Sequence, residues 1–222
     1  MSKEPVHKPL TRDSHHRNSA VTREVILNAA GQIFAKSGLE GARTEAIAAA
    51  AGVNKALLYY YFKSKEDLYR AVLEEYSVSF NRRALEVLSA KGSARSILLR
   101  YIDVHFEFIQ ATPCEGPLYQ RLLMTEERSF ERLLREYVIP RSERLKALLE
   151  RGMRSGEFRE MDSIHAAISL VALITFYFSF APVIARVTGH NPHTKENLEK
   201  RKKEVVQFIR YALFKDPESK VE

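Results

Sequence analysis

The stretch TEAIAAAAGVNKALLYYYF, residues 44–62, decides how the N-terminal part of this chain folds. It predicts two short helices on either side of a turn at Gly52, because glycine adopts positive φ at little steric cost. Ala48 is small enough for the two helices to cross closely. Asn54 is placed to cap the second helix by accepting a hydrogen bond from a free backbone N–H, which points the start of that helix outward. The pattern is typical of a helix-turn-helix.

Helices are predicted on both sides of this motif. Ala30 and Phe34 recur at helical spacing before a stop at Gly38, and Ser64 is followed three residues later by an acidic residue, as at the start of a helix. No stretch shows the alternation expected of a strand, so we predict an all-α fold. The predicted helices are 19–37, 44–51, 54–62, 65–88, 94–111, 116–125, 128–154, 162–186 and 195–214, with kinks at Pro140 and Pro182.

The chain of 222 residues is long enough for a small domain joined to a larger one. We expect a flexible tail over 1–18, because this segment lacks apolar periodicity. The helix-turn-helix domain is predicted over 19–65 and a larger helical domain over 66–215, followed by a short tail over 216–222.

Cysteine and histidine usage restricts the chemistry of the chain. Cys114 is the single cysteine, so no internal disulfide or cysteine-based metal site is expected. Together with the lack of a secretory leader, this usage predicts a cytoplasmic protein. The seven histidines show no metal-ligand spacing and no Gly-rich phosphate loop follows a strand, so neither a metal, a cofactor nor an enzyme is predicted. A sensing role for Cys114 stays open.

Excess positive charge is concentrated in the first third of the chain. Residues 1–65 carry ten Lys and Arg against five Asp and Glu, whereas the rest carries twenty-five against twenty-three. A basic region of this kind favours phosphate as a partner, although a solvated basic surface is an equal alternative on charge alone. Arg12 and Arg17 in the predicted tail could reach a minor groove, or the tail could serve only solubility.

The second helix of the motif carries side chains suited to DNA. Lys55 and Ala56 lie at its start, where the base edges of a major groove come closest, Lys55 as a donor to guanine and Ala56 as a small surface for a thymine methyl. Tyr59, Tyr60 and Lys65 suit phosphate oxygens. Lys65 lies in the first turn of the next helix, so its ammonium and the free N–H groups of that helix converge on one anion.

An aromatic helix core is the alternative interpretation of the tyrosine run 59–61. Neighbouring residues on a helix lie about 100° apart, so three consecutive phenols cannot all face one core. At least one is therefore expected to point to solvent. In this position it favours double-stranded DNA as the partner.

The stretch from Gly38 to Leu68 closely resembles the DNA-binding domain of the TetR family of bacterial transcriptional regulators. The resemblance rests on Ile47-Ala48, Ala51-Gly52-Val53, Leu58-Tyr59-Tyr60-Tyr61-Phe62 and Lys65-Glu66. It implies phosphate contacts from Thr44, Tyr59, Tyr61 and Lys65, and contacts to bases or nearby backbone from Lys55, Ala56 and Tyr60.

Four positions depart from the pattern of that family. The family commonly has Thr or Ser where this chain has Ala42 and Arg43, a small polar residue in place of Leu57, and often Gly in place of Ala56. Arg43 is expected to replace a hydroxyl contact with a charged one, and Leu57 either packs inward or meets a thymine methyl. The base sequence that is recognised therefore stays open.

Residues 164–185 contain no charged side chain and are long enough to span a membrane. Burial between two subunits is favoured instead, because the segment contains several polar residues and Pro182 and no second such segment is present. The family resemblance implies a homodimer through the last two long helices, here 162–186 and 195–214. Within the second of these helices the predicted apolar stripe consists of Val205, Ile209, Ala212 and Leu213.

An apolar helical stripe over 98–109 carries two polar side chains, Tyr101 and His105. A mostly apolar pocket with a few convergent polar groups predicts a small aromatic or lipophilic effector, and ordinary core is an equal alternative for these residues. The candidate lining residues are Tyr101, His105, Phe108, Tyr119, Met124, Phe176 and Tyr177.

These patterns together predict a homodimeric, ligand-responsive transcriptional regulator. We expect a repressor whose two recognition helices read a near-palindromic operator, with half-sites about one DNA turn apart or a multiple of it. The effector must bind one arrangement of the dimer better than the other in order to release DNA. The alternatives are an architectural DNA-binding protein without an effector and a membrane-associated helical protein.

Overall fold

A computed structural model describes residues 12–112 and 128–218, and the regular elements in those ranges are all helices. The predicted all-α fold is therefore confirmed. The one β contact within those ranges is an isolated antiparallel bridge between Phe158 and Phe214. The chain divides into two compact units, Met1–Val72 and Leu73–Glu222, so the boundary falls after Val72 and not after residue 65 as predicted.

The first unit begins with a helix that is longer than predicted. Its described elements are α1, Arg12–Gly41; α2, Thr44–Ala50; α3, Lys55–Tyr61; and the first two turns of α4, Lys65–Leu88. Helix α1 occupies the last seven residues of the predicted tail, because the last helix breaker before it is Pro9. Gly38 has φ 70° and ψ −179°, which interrupts α1 at the predicted stop.

A small core holds the helices of the first unit together. Ile26 of α1, Ile47 of α2 and Leu58 of α3 are fully buried. Phe34 of α1 packs against Tyr69 of α4 in an edge-on arrangement, with ring centroids 5.0 Å apart. The first two turns of α4 thus belong to this core, which explains why the unit extends beyond residue 65.

The second unit is organised around α5. After the rest of α4, its described elements are α5, Ala94–Ala111; α6, Arg128–Leu133; a π-helical turn, Leu134–Val138; α7, Ile139–Arg154; α8, Ser163–Ser179; α9, Ala181–Thr188; and α10, Lys195–Leu213. Helix α5 packs against α7, α8 and α10. Leu98, Tyr101 and Ile102 of α5 are consequently fully buried. The predicted helix 116–125 lies outside the described residues.

The predicted helix 128–154 contains an irregular turn. The hydrogen bonding widens to a π-helix over Leu134–Val138, and α7 then begins with Pro140 in its first turn. Proline has no N–H to donate and its ring crowds the carbonyl four residues earlier, so the turn before it adjusts. A π-helical turn thus lies just before Pro140, at the position where the sequence predicts a kink.

The segment predicted as one helix over 162–186 with a kink at Pro182 consists of two helices, and the chain bends just before that proline. Helices α8 and α9 are bent by 74° relative to each other, with Phe180 between them at φ −102° and ψ 25°. Pro182 lies in the first turn of α9, where its missing N–H costs no helical hydrogen bond. Within the described ranges no single helix is long and apolar enough to cross a membrane, and the bent pair passes that test by length and composition alone.

The segment after α7 returns closely onto that helix. The Phe158 ring is fully buried and stacks on Phe214, with centroids 5.4 Å apart and an interplanar angle of 12°. A Cβ atom at Gly152 of α7 would lie 2.2 Å from Cδ2 of Phe158. The missing side chain at Gly152 therefore makes room for the ring.

Candidate DNA-binding surface and buried polar cluster

The turn between α2 and α3 has the geometry that the sequence predicts. Gly52 adopts φ 66°, and the backbone N–H of Val53 donates to the carbonyl of Ala48 at 2.9 Å. Asn54 then caps α3, because its Oδ1 accepts a hydrogen bond from the backbone N–H of Leu57 at 2.7 Å. The start of α3 is thereby fixed, and the remaining free N–H groups of its first turn are open to a ligand.

Helix α3 presents one face to the core and the other to solvent. Leu58 is fully buried, whereas Lys55 and Ala56 are exposed and Leu57 is half-buried. Tyr60 is 79% exposed, so the prediction that the three phenols cannot all face one core is confirmed. The outer face therefore places a cation and a small apolar residue at the start of the helix, where a recognition helix contacts base edges, and an exposed phenol nearer its other end.

An ion pair joins α2 to α3 on this outer face. The Nζ of Lys55 lies 2.5 Å from Oε1 of Glu45, and both side chains are at least half exposed. This hydrogen bond, together with the attraction between the two charges, lowers the pKa of Glu45 and raises the pKa of Lys55. The ammonium also lies 5.9 Å from the centroid of the Tyr59 ring. Lys55 is therefore already paired with an acidic side chain when no DNA is bound.

Two of the predicted phosphate contacts use their hydroxyls within the chain. Tyr61 is half-buried and its hydroxyl donates to Oγ of Ser19 at 3.1 Å, which connects α3 to α1. Thr44 is buried, and its hydroxyl lies 3.4 Å from Oε2 of Glu45. A phosphate contact from either residue requires its hydroxyl to exchange this partner.

A polar hollow of about 440 Å³ lies between the start of α2 and the start of α4. Arg43, Thr44, Tyr59 and Lys65 line it, so four predicted DNA contacts meet at one place. Lys63 also lines the hollow and was not predicted. Its position between the caps of two helices could have indicated it, since α3 ends just before it and α4 begins just after it.

Lys65 has internal partners that the sequence did not indicate. Its ammonium donates to the backbone carbonyl of Glu40 at 3.3 Å and to that of Ala42 at 3.4 Å. Ser64 caps α4 as predicted, accepting from the N–H of Asp67 at 3.0 Å. Because carbonyl oxygens do not neutralise a charge, Lys65 keeps its positive charge available to an anion in the hollow.

A second group of predicted residues forms a buried cluster in the second unit. Tyr101, His105 and Phe108 of α5 come together with Phe80 of α4. The ring of His105 lies 4.5 Å from that of Phe80 and 4.7 Å from that of Tyr101, and Phe80 lies 5.1 Å from Phe108. Because α5 brings every third or fourth residue to one face, its three members are neighbours.

Arg141 of α7 completes this cluster. Its guanidinium carbon lies 4.7 Å from the centroid of Phe80, and the group is close enough to donate a hydrogen bond to Tyr101. Burial and, second, the positive charge of Arg141 lower the pKa of His105 to about 3, so its imidazole is neutral. Within the described ranges Nε2 of His105 has no hydrogen-bond partner, and neither has Oδ1 of the buried Asn81.

The other predicted effector contacts are not part of this cluster. Phe176 is exposed and stacks on Phe180, with centroids 4.4 Å apart. Tyr177 lies under the guanidinium of Arg201, at 5.0 Å from the ring centroid. Tyr119 and Met124, like Cys114, lie outside the described residues.

An exposed apolar face runs along α8, α9 and α10. Three residues of the apolar stripe predicted on α10, Val205, Ile209 and Leu213, are buried within their own chain and Ala212 is exposed, so the prediction that this stripe faces a partner was wrong. Other large apolar residues of the three helices are exposed to solvent. These are Ile164, Ile168, Phe176, Val183, Val187, Phe208 and Tyr211. Exposed apolar side chains in this number make the three helices the candidate region for a partner surface.

A capped helix that follows a tight turn and presents cationic and phenolic side chains defines a DNA-binding protein of the helix-turn-helix class. Residues 26–72 match the family model of the bacterial regulatory proteins of the tetR family. Residues 97–209 match the model of the tetracyclin repressor-like C-terminal domain. The chain therefore belongs to the TetR family and is a transcriptional regulator, as its sequence predicted.

Individual relatives agree with this assignment. The chain is 33% identical over 166 residues to the transcriptional repressor NicS of Pseudomonas putida, covering 71% of this chain and 76% of NicS. It is 30% identical over 183 residues to the transcriptional regulator RutR of Escherichia coli K12, covering 81% of this chain and 84% of RutR. The solved structure of the ketosteroid regulator KstR2 of Mycobacterium tuberculosis shares the fold, with a TM-score of 0.74, 17% identity and coverage of 87% and 95% of the two chains.

Proposed function

We propose that the chain is a homodimeric repressor that binds a near-palindromic operator and releases it on binding a small aromatic or lipophilic effector. The observation that carries the proposal is the outer face of α3, where Lys55, Ala56 and Tyr60 are exposed beside a capped helix start. Action on operator DNA would take place in the bacterial cytoplasm.

Phosphate contacts are assigned to the hollow beside this helix. Arg43, Lys63 and Lys65 bring three cationic side chains to one polar concavity and outnumber its two carboxylates, Glu45 and Glu66, and the phenol of Tyr59 adds a donor. Phosphate contacts of this kind fix the register of a protein on DNA, whereas base contacts determine which sequence is bound. Lys55 and Ala56 are accordingly assigned to bases, and Leu57 to packing with a thymine methyl at its exposed edge.

Footprinting on DNA upstream of the gene tests this assignment. We expect protection of a near-palindromic site, with Lys55→Ala lowering the affinity for that site roughly tenfold and changing the affinity for random DNA little. Lys91→Ala is the matched control, since Lys91 is an exposed lysine of the second unit. Uniform protection without a preferred site would contradict the proposal and support the architectural alternative.

Dimerisation is assigned to the exposed apolar face of α8, α9 and α10. Light scattering is expected to give twice the chain mass of 25.5 kDa. Phe208→Glu places a charge on this face at a residue that is 62% exposed, and it should produce monomers that bind the operator weakly. Ile139→Glu is the control, because Ile139 is 53% exposed but lies on α7. If Phe208→Glu and Ile139→Glu are both dimers, the exposed apolar face is not the dimer interface.

The effector site is assigned to the buried cluster around His105. A cluster of aromatic rings with an unpartnered polar atom and a nearby cation has the mixture of apolar surface and few polar groups that small-ligand sites share. Phe176 and Tyr177 are left out of this site, because Phe176 is exposed to solvent and Tyr177 packs under Arg201. Release of the footprinted operator by a small molecule, measured by fluorescence anisotropy, tests the assignment.

A further inference from the structure

We propose that the effector is a planar aromatic carboxylate, which packs its ring against the Phe80 and Phe108 rings and places its anionic group on Arg141, Tyr101 and His105. This inference rests on the proposed function, because it names the ligand class of the same cluster. It is carried by three observations on the described residues: a cation without a carboxylate partner, a buried imidazole with one nitrogen that has no hydrogen-bond partner, and a set of aromatic rings in contact with both.

The first observation is the charge of Arg141. Within 12–112 and 128–218 no carboxylate lies in salt-bridge distance of this half-buried guanidinium, whereas the exposed Arg132 and Arg135, just before this helix, have glutamate partners. Its neighbours are the Phe80 ring and Tyr101. A guanidinium that is partly withdrawn from water gains most from a planar anion that accepts two of its N–H groups.

The second observation is the unmet hydrogen bond of His105. The side chain is 5% exposed, and Nε2 has no partner within the described ranges. A buried polar atom left unpaired costs free energy, which a ligand recovers when it supplies the partner. As a neutral imidazole, His105 can donate one N–H to a carboxylate oxygen.

The third observation concerns the body of the ligand. Phe80 faces both His105 and Phe108, with interplanar angles of 62° and 43°, so flat ring surfaces line more than one side of the cluster. Aromatic rings pack well against another flat ring in offset or edge-on arrangements. Aromatic cages also bind organic cations, but the charge of Arg141 at 4.7 Å from Phe80 opposes a cation here. An aromatic anion satisfies both the rings and the guanidinium.

Matched pairs of small molecules test the proposal on the full chain. Benzoate, phenylacetate and cinnamate are compared with their primary amides, which keep the shape and remove the charge, and with benzyltrimethylammonium as a cationic probe. Binding is measured by calorimetry, and operator release by anisotropy with the footprinted DNA. We expect at least one carboxylate to bind and to release DNA, with roughly tenfold or greater preference over its amide, and no binding of the cation.

Variants of the cluster assign the preference to named groups. Arg141→Met keeps the length of the side chain and should lower the carboxylate affinity roughly tenfold or more while leaving the amide affinity unchanged. Arg144→Met is the matched control, because Arg144 is an exposed arginine one turn further along α7. Tyr101→Phe keeps the buried ring and should lower the carboxylate affinity roughly fivefold, which provides a second variant if Arg141→Met does not fold.

Three results would overturn the inference: equal binding of amides and carboxylates, unchanged carboxylate affinity in both Arg141→Met and Tyr101→Phe, or no binding by any carboxylate of the series. Each of these leaves the proposed function standing if another compound releases the operator. Failure of the proposed function has a different signature, because the protein would then lack a footprint or would keep its footprint in the presence of every ligand that it binds.

Discussion

The buried imidazole of His105 should make the stability of the second unit depend on pH. In the folded chain its pKa is lowered to about 3, by burial and then by the positive charge of Arg141, from an ordinary value of 6.5. As the pH falls below 6.5, the unfolded chain takes up a proton that the folded chain excludes. The stabilising contribution of the neutral imidazole is therefore complete above that pH and is lost progressively as the pH falls towards 3.

The size of the effect follows from the difference between the two pKa values. Each pH unit below 6.5 favours the protonated unfolded chain by about 1.4 kcal/mol. Between pH 8 and pH 5 the loss therefore amounts to about 2 kcal/mol of unfolding free energy. At pH 5 the imidazole of the folded chain, with a pKa of about 3, is almost wholly neutral, so only the unfolded chain takes up a proton in this range.

Urea unfolding followed by far-UV circular dichroism measures this loss. The wild type is expected to lose about 2 kcal/mol more than His105→Gln between pH 8 and pH 5, since glutamine has no proton to take up. The exposed His165 provides the control, and His165→Gln should follow the wild type. Parallel losses in wild type and His105→Gln would refute the reasoning. So would an NMR titration in which the His105 ring signal of the folded protein changes with a midpoint between pH 5 and pH 8.

Three further substitutions have expected outcomes. Gly152→Ala should lower the unfolding free energy by about 1 to 3 kcal/mol although alanine favours helices, because its Cβ would overlap the fully buried ring of Phe158; urea unfolding measures this. Asn54→Ala removes the side-chain oxygen that accepts the backbone N–H of Leu57, and it should lower the unfolding free energy by about 1 kcal/mol. The same variant should bind the operator more weakly, as measured by anisotropy. Lys65→Ala should lower the slope of log K against log salt by about 1 on any DNA sequence.

Each of these substitutions has a conservative counterpart or a contrary outcome. A Gly152→Ala protein as stable as the wild type would mean that the Phe158 ring can move aside. Asn54→Asp retains a capping oxygen and should restore most of the stability, so an equally unstable aspartate variant would argue against the cap. Lys65→Arg retains the charge and should keep the salt slope of the wild type. If Lys65→Ala also keeps that slope, Lys65 makes no phosphate contact.

Local signals in the sequence were sufficient for most of the fold. Helices α4 and α5 have their predicted bounds. Ser64 and Ser93 cap their starts, and in the sequence Gly92 follows the end of α4 and Pro113 the end of α5. The same is true of the turn at Gly52 and the cap at Asn54, where the chemistry involves residues at most five positions apart. Such features depend on neighbouring residues and can be read before any tertiary contact is known.

The features that the sequence did not predict depend on contacts between distant residues. The partners of Lys55 and Lys65 lie 10 to 25 positions away, and Arg141 reaches Tyr101 from another helix. The apolar stripe of α10 faces its own chain because α5 and α8 happen to lie on that side. Periodicity indicates that a stripe is buried but not whether the covering surface belongs to the same chain.

The pairing of Lys55 with Glu45 has a consequence for measurements of salt dependence. When Lys55 turns to a base edge, it leaves the carboxylate of Glu45 without a cation close to the DNA phosphates. The repulsion between this carboxylate and the phosphates offsets part of the attraction that the lysine contributes. Lys65 leaves only backbone carbonyls behind and has no such compensation. Removal of Lys65 should therefore lower the salt dependence of binding more than removal of Lys55 does, although both side chains carry the same charge.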